Sequence, residues 1–283
     1  MSGSSVLSRD FPVAKDLPMA GAGSRWLAGD RWEPATPRQA STVMLVRDGT
    51  HGTEVFMLRR VSGMAFAPNM LVFPGGGCDV RDGEPGLPWA GPSPAEWAGR
   101  FGGCGAAQAQ MFVAAAVREV FEETGVLLAG ESPDSPLVDV SDASWRQLRH
   151  GLVGRELSLA GVLQDAGLVL RSDLLAVKAH WLTPEFEPRR FDTWFFAALM
   201  PEHQQADGET SEADRSGWVR PDETLAAFGR GEAVMLPPTL VCLEDMRDAG
   251  SAQAFIRHTE HLPLIMPTIV STPGGPAMRI SVS

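Results

Sequence analysis

Three glutamates, Glu119, Glu122 and Glu123, stand within five residues of one another in the segment VREVFEETGV, residues 117–126. At about 100° per residue, positions i, i+3 and i+4 share one face of a helix, so these carboxylates are expected to lie together. Such a face is either a solvated acidic surface or a site for a hard divalent cation, which prefers carboxylate oxygens. The helix alone leaves both interpretations open.

The spacing predicts an amphipathic helix over residues 106–124. Small side chains, Ala115 and Ala116, flank the glutamates, and an apolar stripe formed by Val113, Val117, Val120, Phe121 and Thr124 is expected to pack on a core. Gly125 follows the last periodic residue and is expected to end the helix in a left-handed conformation.

A second segment, FPGGGCDVRD at residues 73–82, follows an apolar, strand-like run at residues 70–72. Consecutive glycines let a bound molecule approach the backbone closely. Together the two segments resemble the Nudix box, G-x5-E-x7-R-E-U-x-E-E-x-G-U, where U is aliphatic. The matching positions are Gly76, Arg118, Glu119, Val120, Glu122, Glu123, Gly125 and Val126, with Asp82 in place of the first glutamate.

The box is split, because 35 residues separate Asp82 from Arg118 where the family usually has seven. A split box resembles the Nudix branch that contains the peroxisomal coenzyme A diphosphatases. The inserted residues, 83–107, are rich in Gly and Pro and predict a loop with one helical turn near residues 95–100. Asp82 either orients the catalytic helix or has no role.

The resemblance implies an α/β fold, a Nudix-type α/β/α sandwich with a mixed sheet and added helices. It also implies that Glu119, Glu122 and Glu123 bind Mg²⁺ or Mn²⁺ together with the carbonyl of Gly75, and that one of the glutamates acts as the base. Arg118 is expected to pair with a box carboxylate, and Gly76 and Gly77 to approach the substrate. A further acidic residue is expected from Glu209, Glu212 or Asp214; we favour Glu212, the alternative being a solvated acidic loop.

Two arginine pairs are candidates for substrate phosphate, with surface ion pairing as the alternative. Arg59 and Arg60 end a predicted strand, so only one of them faces the cleft. In coenzyme-A-cleaving Nudix enzymes a signature places an arginine where Arg60 stands, but Ala65 and Asn69 occupy its later Arg and Gly positions. Arg189 and Arg190 precede the aromatic segment FDTWFF.

The sequence leaves three functions open. The favoured one is a metal-dependent diphosphatase acting on coenzyme A or acyl-coenzyme A. The second is the same chemistry on ADP-ribose or a dinucleotide, and the third is a catalytically silent Nudix domain that binds a nucleotide for regulation. The expected partner is therefore a small nucleotide-derived diphosphate, and a homodimer is left open.

The amino-acid composition argues against several classes of protein. The formal net charge of −11 argues against a nucleic-acid surface. Three cysteines, Cys78, Cys104 and Cys242, have no metal-ligand spacing and suggest a reducing compartment. Since no apolar run of about 18 residues and no secretory leader is evident, we expect a cytoplasmic protein without a membrane span.

The domain prediction is an irregular N-terminal arm, residues 1–38, followed by a Nudix domain, residues 39–283. Predicted strands are residues 41–47 and 54–60, joined by the hairpin signal DGTHGT, and residues 126–128, 174–182 and 190–200. Helical additions are predicted at residues 142–170 and 221–261, the second as helices 221–229, 238–249 and 252–261, before a Pro-rich tail.

Overall fold

A computed structural model describes residues 7–13, 18–61, 63, 68–211, 213–258 and 262–282 of the chain. Its helices are α1 Pro18–Leu27, α2 Pro94–Arg100, α3 Ala106–Thr124, α4 Ala143–Val153, α5 Leu159–Ala166, α6 Pro221–Gly229, α7 Pro237–Ala249 and α8 Ala252–Arg257. Its strands are β1 Leu7–Pro12, β2 Arg38–Gly49, β3 Gly52–Arg60, β4 Leu71–Val72, β5 Gly75–Gly77, β6 Trp89–Ala90, β7 Ala129–Gly130, β8 Val169–Arg171, β9 Ala176–Leu182, β10 Phe191–Leu199, β11 Ala213–Val219, β12 Leu264–Ile265, β13 Thr268–Thr272 and β14 Gly275–Val282.

The chain divides into two compact units. One consists of Met1–Gln39, Ala179–Thr193 and His261–Ser283, and the other of Ala40–Lys178 and Trp194–Glu260. The predicted boundary between an arm and a domain at residue 39 stays a prediction.

The two ends of the chain form a sheet in the first unit, in the order β1-β14-β13. Strands β1 and β14 are antiparallel, with Phe11 opposite Met278, and both side chains are buried. The expected irregular arm and Pro-rich tail were therefore wrong in part. Each strand's partner lies at the other end of the sequence, so its pairing leaves no local signal.

The larger sheet runs β11-β3-β2-β10-β9-β12, with β4 added to β3 and β5 to β2. Strands β2 and β3 form the predicted hairpin, which closes at Gly49 and Gly52. Strand β12 pairs with β9 in parallel, whereas β3 pairs with β2 and β11 antiparallel, so the sheet is mixed. Strand β11 was not predicted, because its sequence, ADRSGWV, lacks apolar alternation.

Helix α3 is confirmed over its whole predicted length. Gly125 ends it with φ 73°, in the left-handed conformation that glycine adopts readily. The helix is buried well beyond its apolar stripe, because Arg118, Glu119 and Glu123 are also buried. A solvated acidic face is therefore excluded.

The insertion, residues 83–107, is part of the core rather than a simple loop. The predicted helical turn is α2, and Ser93 caps it by accepting a hydrogen bond from the backbone N–H of Glu96. Strand β6 pairs in parallel with β8. Trp97 of α2 is fully buried and joins an aromatic cluster with Phe101, Phe112, Trp194 and Phe196.

The predicted strand at residues 126–128 is wrong, and the strand lies at Ala129–Gly130 instead. The backbone of Leu127 is paired by a side chain: its N–H donates to the Gln204 Oε1 at 2.9 Å, and its carbonyl accepts from Nε2 at 3.0 Å. A glutamine amide thus takes the place of a neighbouring strand.

The remaining elements follow the prediction closely. Residues 142–170 contain α4 and α5, and the strands predicted at 174–182 and 190–200 are β9 and β10. Helices α6 and α7 lie where expected, but α8 ends at Arg257. The predicted extension of α8 reaches residues 259–261, which lie outside the described part of the chain.

Candidate active site

The guanidinium group of Arg118 gathers three carboxylates on α3 and its neighbours. Nη1 donates to Glu119 Oε1 at 2.8 Å and to Glu122 Oε1 at 3.0 Å. Nε and Nη2 each donate to Asp82 at 2.9 Å, and Nη2 also donates to the carbonyl of Gly77 at 2.9 Å. The expected pairing of Arg118 with a box carboxylate is therefore present, and it involves three carboxylates at once.

Asp82 is held in place by a turn of 3-10 helix, Val80–Gly83. Asp79 caps this turn, and the backbone N–H of Asp79 donates to Asp82 Oδ2 at 2.8 Å. Gln110 on α3 fixes the following backbone, since its Nε2 donates to the carbonyl of Glu84 at 2.9 Å. Asp82 thus orients Arg118 rather than having no role, although it is not placed by the contiguous motif of the family.

Strand β5 brings glycine backbone against the glutamates. The N–H of Gly75 donates to Glu123 Oε2 at 2.7 Å. A Cβ atom at Gly76 would lie 2.6 Å from both carboxylate oxygens of Glu119, so any side chain at position 76 would displace that glutamate. A Cβ at Gly75 would lie 2.5 Å from the carbonyl oxygen of Ser41 on β2. The glycines are therefore required by close approach.

Burial dominates the electrostatics of these side chains. It raises the pKa of Glu119 to about 7, although the charge of Arg118 opposes the rise. Burial also raises the pKa of Glu122, against the positive charges of Arg118 and Arg155. For Arg118, burial lowers the pKa, but the hydrogen bonds and charges of Asp82, Glu119 and Glu122 outweigh it and raise the pKa. The cluster carries more negative than positive charge and would be stabilised by a further cation.

The side chains suit a hard divalent cation by their chemistry, because Mg²⁺ and Mn²⁺ prefer carboxylate oxygens. The positions of these side chains, as they stand in the structure, do not form a metal site. Across the described residues, no three His, Cys, Asp or Glu side chains converge as a metal site would require. Arg118 contacts Glu119 and Glu122, and the Gly75 amide contacts Glu123. The role predicted for the Gly75 carbonyl stays a prediction.

The C-terminal end of α3 is braced by a residue that the sequence analysis missed. Arg149 of α4 is buried, and its Nε donates to the carbonyl of Glu122 at 2.8 Å. Its Nη1 donates to Asp207 at 2.9 Å, and the backbone N–H of Asp207 donates to the Thr124 carbonyl at 2.8 Å. A cation at a helix C-terminus is favourable. No local motif marks Arg149, because its partners lie 27 and 58 residues away.

Two of the three acidic candidates outside α3 lie on the protein surface. Glu209 is exposed, and Asp214 forms an exposed salt bridge with Arg59. Glu212, the favoured candidate, lies outside the described residues, so its predicted role stays a prediction.

The four arginines predicted to bind substrate phosphate differ in their burial and in their contacts. Arg59 is engaged by Asp214, which agrees with the surface ion-pair alternative, while Arg60 is half-buried at the end of β3. Arg190 is buried, and its three nitrogens donate to the carbonyls of Thr183 and Ala35 and to the sulfur of Met266. These contacts lie inside the first unit, and the predicted substrate role of Arg190 stays a prediction. Arg189 is exposed.

The surroundings of Cys78, beside the glycine strand, disfavour the ionised form of its thiol. Burial raises the pKa of its thiol to about 12, which keeps the reactive thiolate scarce at neutral pH. All three cysteines are free. None of the helices in the described part of the chain combines the length and the apolar character needed to cross a membrane.

Comparison with known proteins agrees with this arrangement. Residues 106–246 match the family model of the NUDT19 Nudix domain. A Caenorhabditis elegans protein named nudix hydrolase 7 is 27% identical over 71% of this chain and 57% of its own length. The Xenopus laevis acyl-coenzyme A diphosphatase NUDT19 is 24% identical over 68% of this chain and 59% of its own length. The chain thus spans somewhat more than half the length of these relatives.

A solved structure shows the same fold. The crystal structure of a Nudix hydrolase from Alicyclobacillus acidocaldarius superposes with a TM-score of 0.63 at 24% identity, covering 81% of this chain and 99% of that one. The fold is therefore of the Nudix hydrolase type, an α/β fold with a mixed sheet and added helices, as expected from the sequence. The match of residues 106–246 and the two relatives, named nudix hydrolase 7 and acyl-coenzyme A diphosphatase NUDT19, indicate that this chain contains a Nudix hydrolase domain.

Proposed function

We propose that this chain is a divalent-metal-dependent hydrolase of a phosphoanhydride, and that its substrate is coenzyme A or an acyl-coenzyme A. The observation that carries the chemistry is the arrangement around Arg118, which holds Glu119 and Glu122 within 3.0 Å while the glycine strand contacts Glu123. This places three carboxylates beside a backbone segment that a diphosphate can approach.

Glu119, Glu122 and Glu123 would hold the metal. A bound Mg²⁺ or Mn²⁺ would supply charge neutralisation on the diphosphate and activation of the attacking water. Arg118, itself held by Asp82, restrains the side chains of Glu119 and Glu122. These carboxylates and Glu123 would turn toward a bound metal ion, because they do not converge in their present positions. Water forms a new bond to one phosphorus, the bridging phosphorus–oxygen bond breaks, and the proton of the water passes to a carboxylate.

Two findings support coenzyme A as the substrate. The matching family model is that of the NUDT19 Nudix domain, and a relative from Xenopus laevis is named an acyl-coenzyme A diphosphatase. The products would be 3′,5′-ADP and a phosphopantetheine, carrying the acyl group where one is present. The competing substrate is ADP-ribose or a dinucleotide. This alternative is favoured by Ala65 and Asn69, which stand where the coenzyme A signature has an arginine and a glycine.

The test is a product-resolved screen with Mg²⁺ and with Mn²⁺. Coenzyme A, acetyl-coenzyme A, dephospho-coenzyme A, ADP-ribose and diadenosine polyphosphates are compared by chromatography, in water labelled with oxygen-18. The label shows which phosphorus is attacked. We expect the highest kcat/KM for coenzyme A or acetyl-coenzyme A, and no turnover once the metal is chelated.

Other outcomes separate the alternatives. Equal kcat/KM on coenzyme A and dephospho-coenzyme A, or a preference for ADP-ribose, would replace coenzyme A by a general nucleoside diphosphate substrate. A chain that binds these compounds but hydrolyses none of them with either metal would be a silent regulatory domain. The intact glutamate set argues against that third function.

A further inference from the structure

The side chain of Arg81 joins the turn that carries Asp82 to a distant part of the chain. Its Nε and Nη2 donate to the two carboxylate oxygens of Asp79, at 3.0 and 2.9 Å. Its Nη1 donates to the carbonyls of Arg155 and Leu157, at 3.0 and 3.1 Å, in the connection between α4 and α5. One guanidinium group therefore holds a carboxylate on one side and two backbone carbonyls on the other.

Asp79 passes this restraint on to Asp82. Its Oδ1 also accepts from the backbone N–H of Arg81, which caps the turn Val80–Gly83. The N–H of Asp79 donates to Asp82 Oδ2 at 2.8 Å, and the same oxygen accepts from Arg118 Nη2 at 2.9 Å. A displacement of Asp79 would therefore disturb the carboxylate that holds Arg118.

The connection between α4 and α5 is bound to the same segment at a second point. Ser158 caps α5 by accepting from the N–H of Gly161, and its hydroxyl donates to Glu84 Oε2 at 3.1 Å. On the other side, Gln110 of α3 donates to the carbonyl of Glu84. The turn that presents Asp82 is thus held between α3 and the α4–α5 connection.

These contacts continue to the glutamates, because Arg118 donates to Glu119 at 2.8 Å and to Glu122 at 3.0 Å. Each step from the carbonyl of Leu157 through Arg81, Asp79 and Asp82 to these glutamates is made by hydrogen bonds of 3.1 Å or less. Groups that stand behind the ligands of a metal site orient them, and changing one such group typically costs about 10–100-fold in metal affinity or activity.

We propose that Arg81 is a positioning residue, which fastens the turn carrying Asp82 to the α4–α5 connection and so fixes Arg118 and the glutamates that it holds. This inference rests on the proposed function, in which those glutamates hold the metal. Arginine suits the position, because its planar group presents two donors to a carboxylate and a third to carbonyls on the far side. Lysine has a single nitrogen and cannot span both sets of partners.

The experiment compares Arg81→Gln and Arg81→Lys with a matched control, Arg171→Gln. Arg171 makes the same pattern of contacts: Nε and Nη2 donate to Asp173 at 2.9 and 2.8 Å, and Nη1 donates to the carbonyl of Ser135 at 3.2 Å. The side chain of Arg171 is 12% exposed and that of Arg81 is 28% exposed. The control therefore removes an equivalent and more buried set of contacts at a place outside the candidate active site.

Four quantities are measured on each protein. Mn²⁺ affinity is obtained by electron paramagnetic resonance, and kcat and KM are measured on coenzyme A at saturating Mn²⁺. Nitrogen-15 NMR follows the exchange of the Arg118 Nε–H with water, and Arg118→Lys identifies the signal by removing it. Urea unfolding gives the stability.

We expect Arg81→Gln to weaken Mn²⁺ binding and to lower kcat by about tenfold each, with KM within twofold of the wild type. Exchange of the Arg118 Nε–H should become faster, because its acceptor, Asp82, is held less firmly. Arg81→Lys should recover part of each loss, because it keeps the charge beside Asp79 without the contacts to the carbonyls. Arg171→Gln should lose stability but keep wild-type Mn²⁺ affinity, exchange and kcat.

Three results would overturn the proposal. Equal effects of Arg81→Gln and Arg171→Gln on Mn²⁺ affinity and exchange would mean that any loss of stability loosens the site. A change in stability alone would make Arg81 a structural residue. Faster exchange without weaker Mn²⁺ binding would mean that the restraint ends at Arg118.

The exchange measurement keeps this proposal separate from the proposed function, since it needs neither metal nor substrate. If the wild type hydrolyses none of the tested compounds, the proposed function fails, but the exchange of the Arg118 Nε–H still decides whether Arg81 restrains Arg118. Normal hydrolysis by the wild type and by Arg81→Gln alike would leave the proposed function in place and overturn the role of Arg81.

Discussion

Arg118 and Asp82 are joined by two parallel hydrogen bonds of 2.9 Å, although 35 residues separate them in the sequence. This salt bridge closes the split Nudix box in three dimensions. The insertion lies between these two partners in the sequence, and α3 keeps its contact with Asp82 despite the length of the intervening chain. Asp82 serves here in place of the family's glutamate as a positioning group for Arg118.

The first prediction tests this salt bridge by Asp82→Asn. The side chain of Asp82 is 2% exposed, so the change leaves Arg118 with a buried, less compensated charge. We expect the free energy of unfolding to fall by about 3 kcal/mol, and kcat to fall because Glu119 and Glu122 lose their fixed positions. Urea unfolding and steady-state kinetics measure the two effects.

Asp214→Asn is the matched control for this change. Asp214 makes the same two-bond contact with Arg59, at 2.7 and 2.8 Å, but its side chain is 39% exposed. Water screens an exposed pair, so the control should change stability much less than Asp82→Asn. Equal effects of the two substitutions would show that burial of the Arg118–Asp82 pair is not what matters.

The second prediction concerns the glutamates. Glu122→Gln and Glu123→Gln should each lower kcat by at least about a hundredfold and weaken Mn²⁺ binding, because each removes a ligand charge. Mn²⁺ binding is followed by electron paramagnetic resonance, and circular dichroism checks the fold. Glu131→Gln, at an exposed position, is the control. Normal turnover of either variant at saturating metal would remove that glutamate from the site.

The third prediction follows from the insertion. Trp97→Ala should lower the free energy of unfolding by about 3–5 kcal/mol, because it empties a fully buried position in the aromatic cluster. Arg100→Ala is the control: it removes the group stacked on the Trp97 ring, 4.5 Å away, and should cost no more than about 1 kcal/mol. A small effect of Trp97→Ala in urea unfolding would mean that the insertion is a dispensable loop after all.

Local sequence patterns predicted the helices and strands whose formation depends on residues close together along the chain. The period of the apolar residues and Gly125 defined α3, and the hairpin signal defined β2 and β3. The spacing of Glu119, Glu122 and Glu123 was enough to place them on one helix, because helical periodicity relates only residues that are close along the chain.

Other parts depend on partners far along the chain. The pairing of β1 with β14 joins residues about 270 positions apart, and Gln204 takes the place of a strand for Leu127, 77 residues away. Arg149 reaches the C-terminal end of α3 through the folding of α4, and no motif marks it. The same holds for Arg190, whose buried donors could not be inferred from the dipeptide in which it stands.

The last prediction concerns the buried carboxyl of Glu187 in the first unit. Within the described residues, its Oε1 atom is buried without a hydrogen-bond partner. Burial raises its pKa from 4.5 to about 7. Since the folded state holds the proton more tightly than the unfolded state, the contribution of Glu187 to stability is full below pH 4.5. It declines as the pH rises from 4.5 to about 7, and then stays level.

Glu187→Gln removes this titration, so the variant should gain stability relative to the wild type by about 3 kcal/mol between pH 4 and pH 8. The measurement is the difference in free energy of unfolding between the two proteins at several pH values, which cancels the groups they share. Glu185→Gln, an exposed neighbour, should leave the wild-type profile in place. If the difference for Glu187→Gln is constant across this pH range, the carboxyl is ionised in the folded protein and must have a compensating partner.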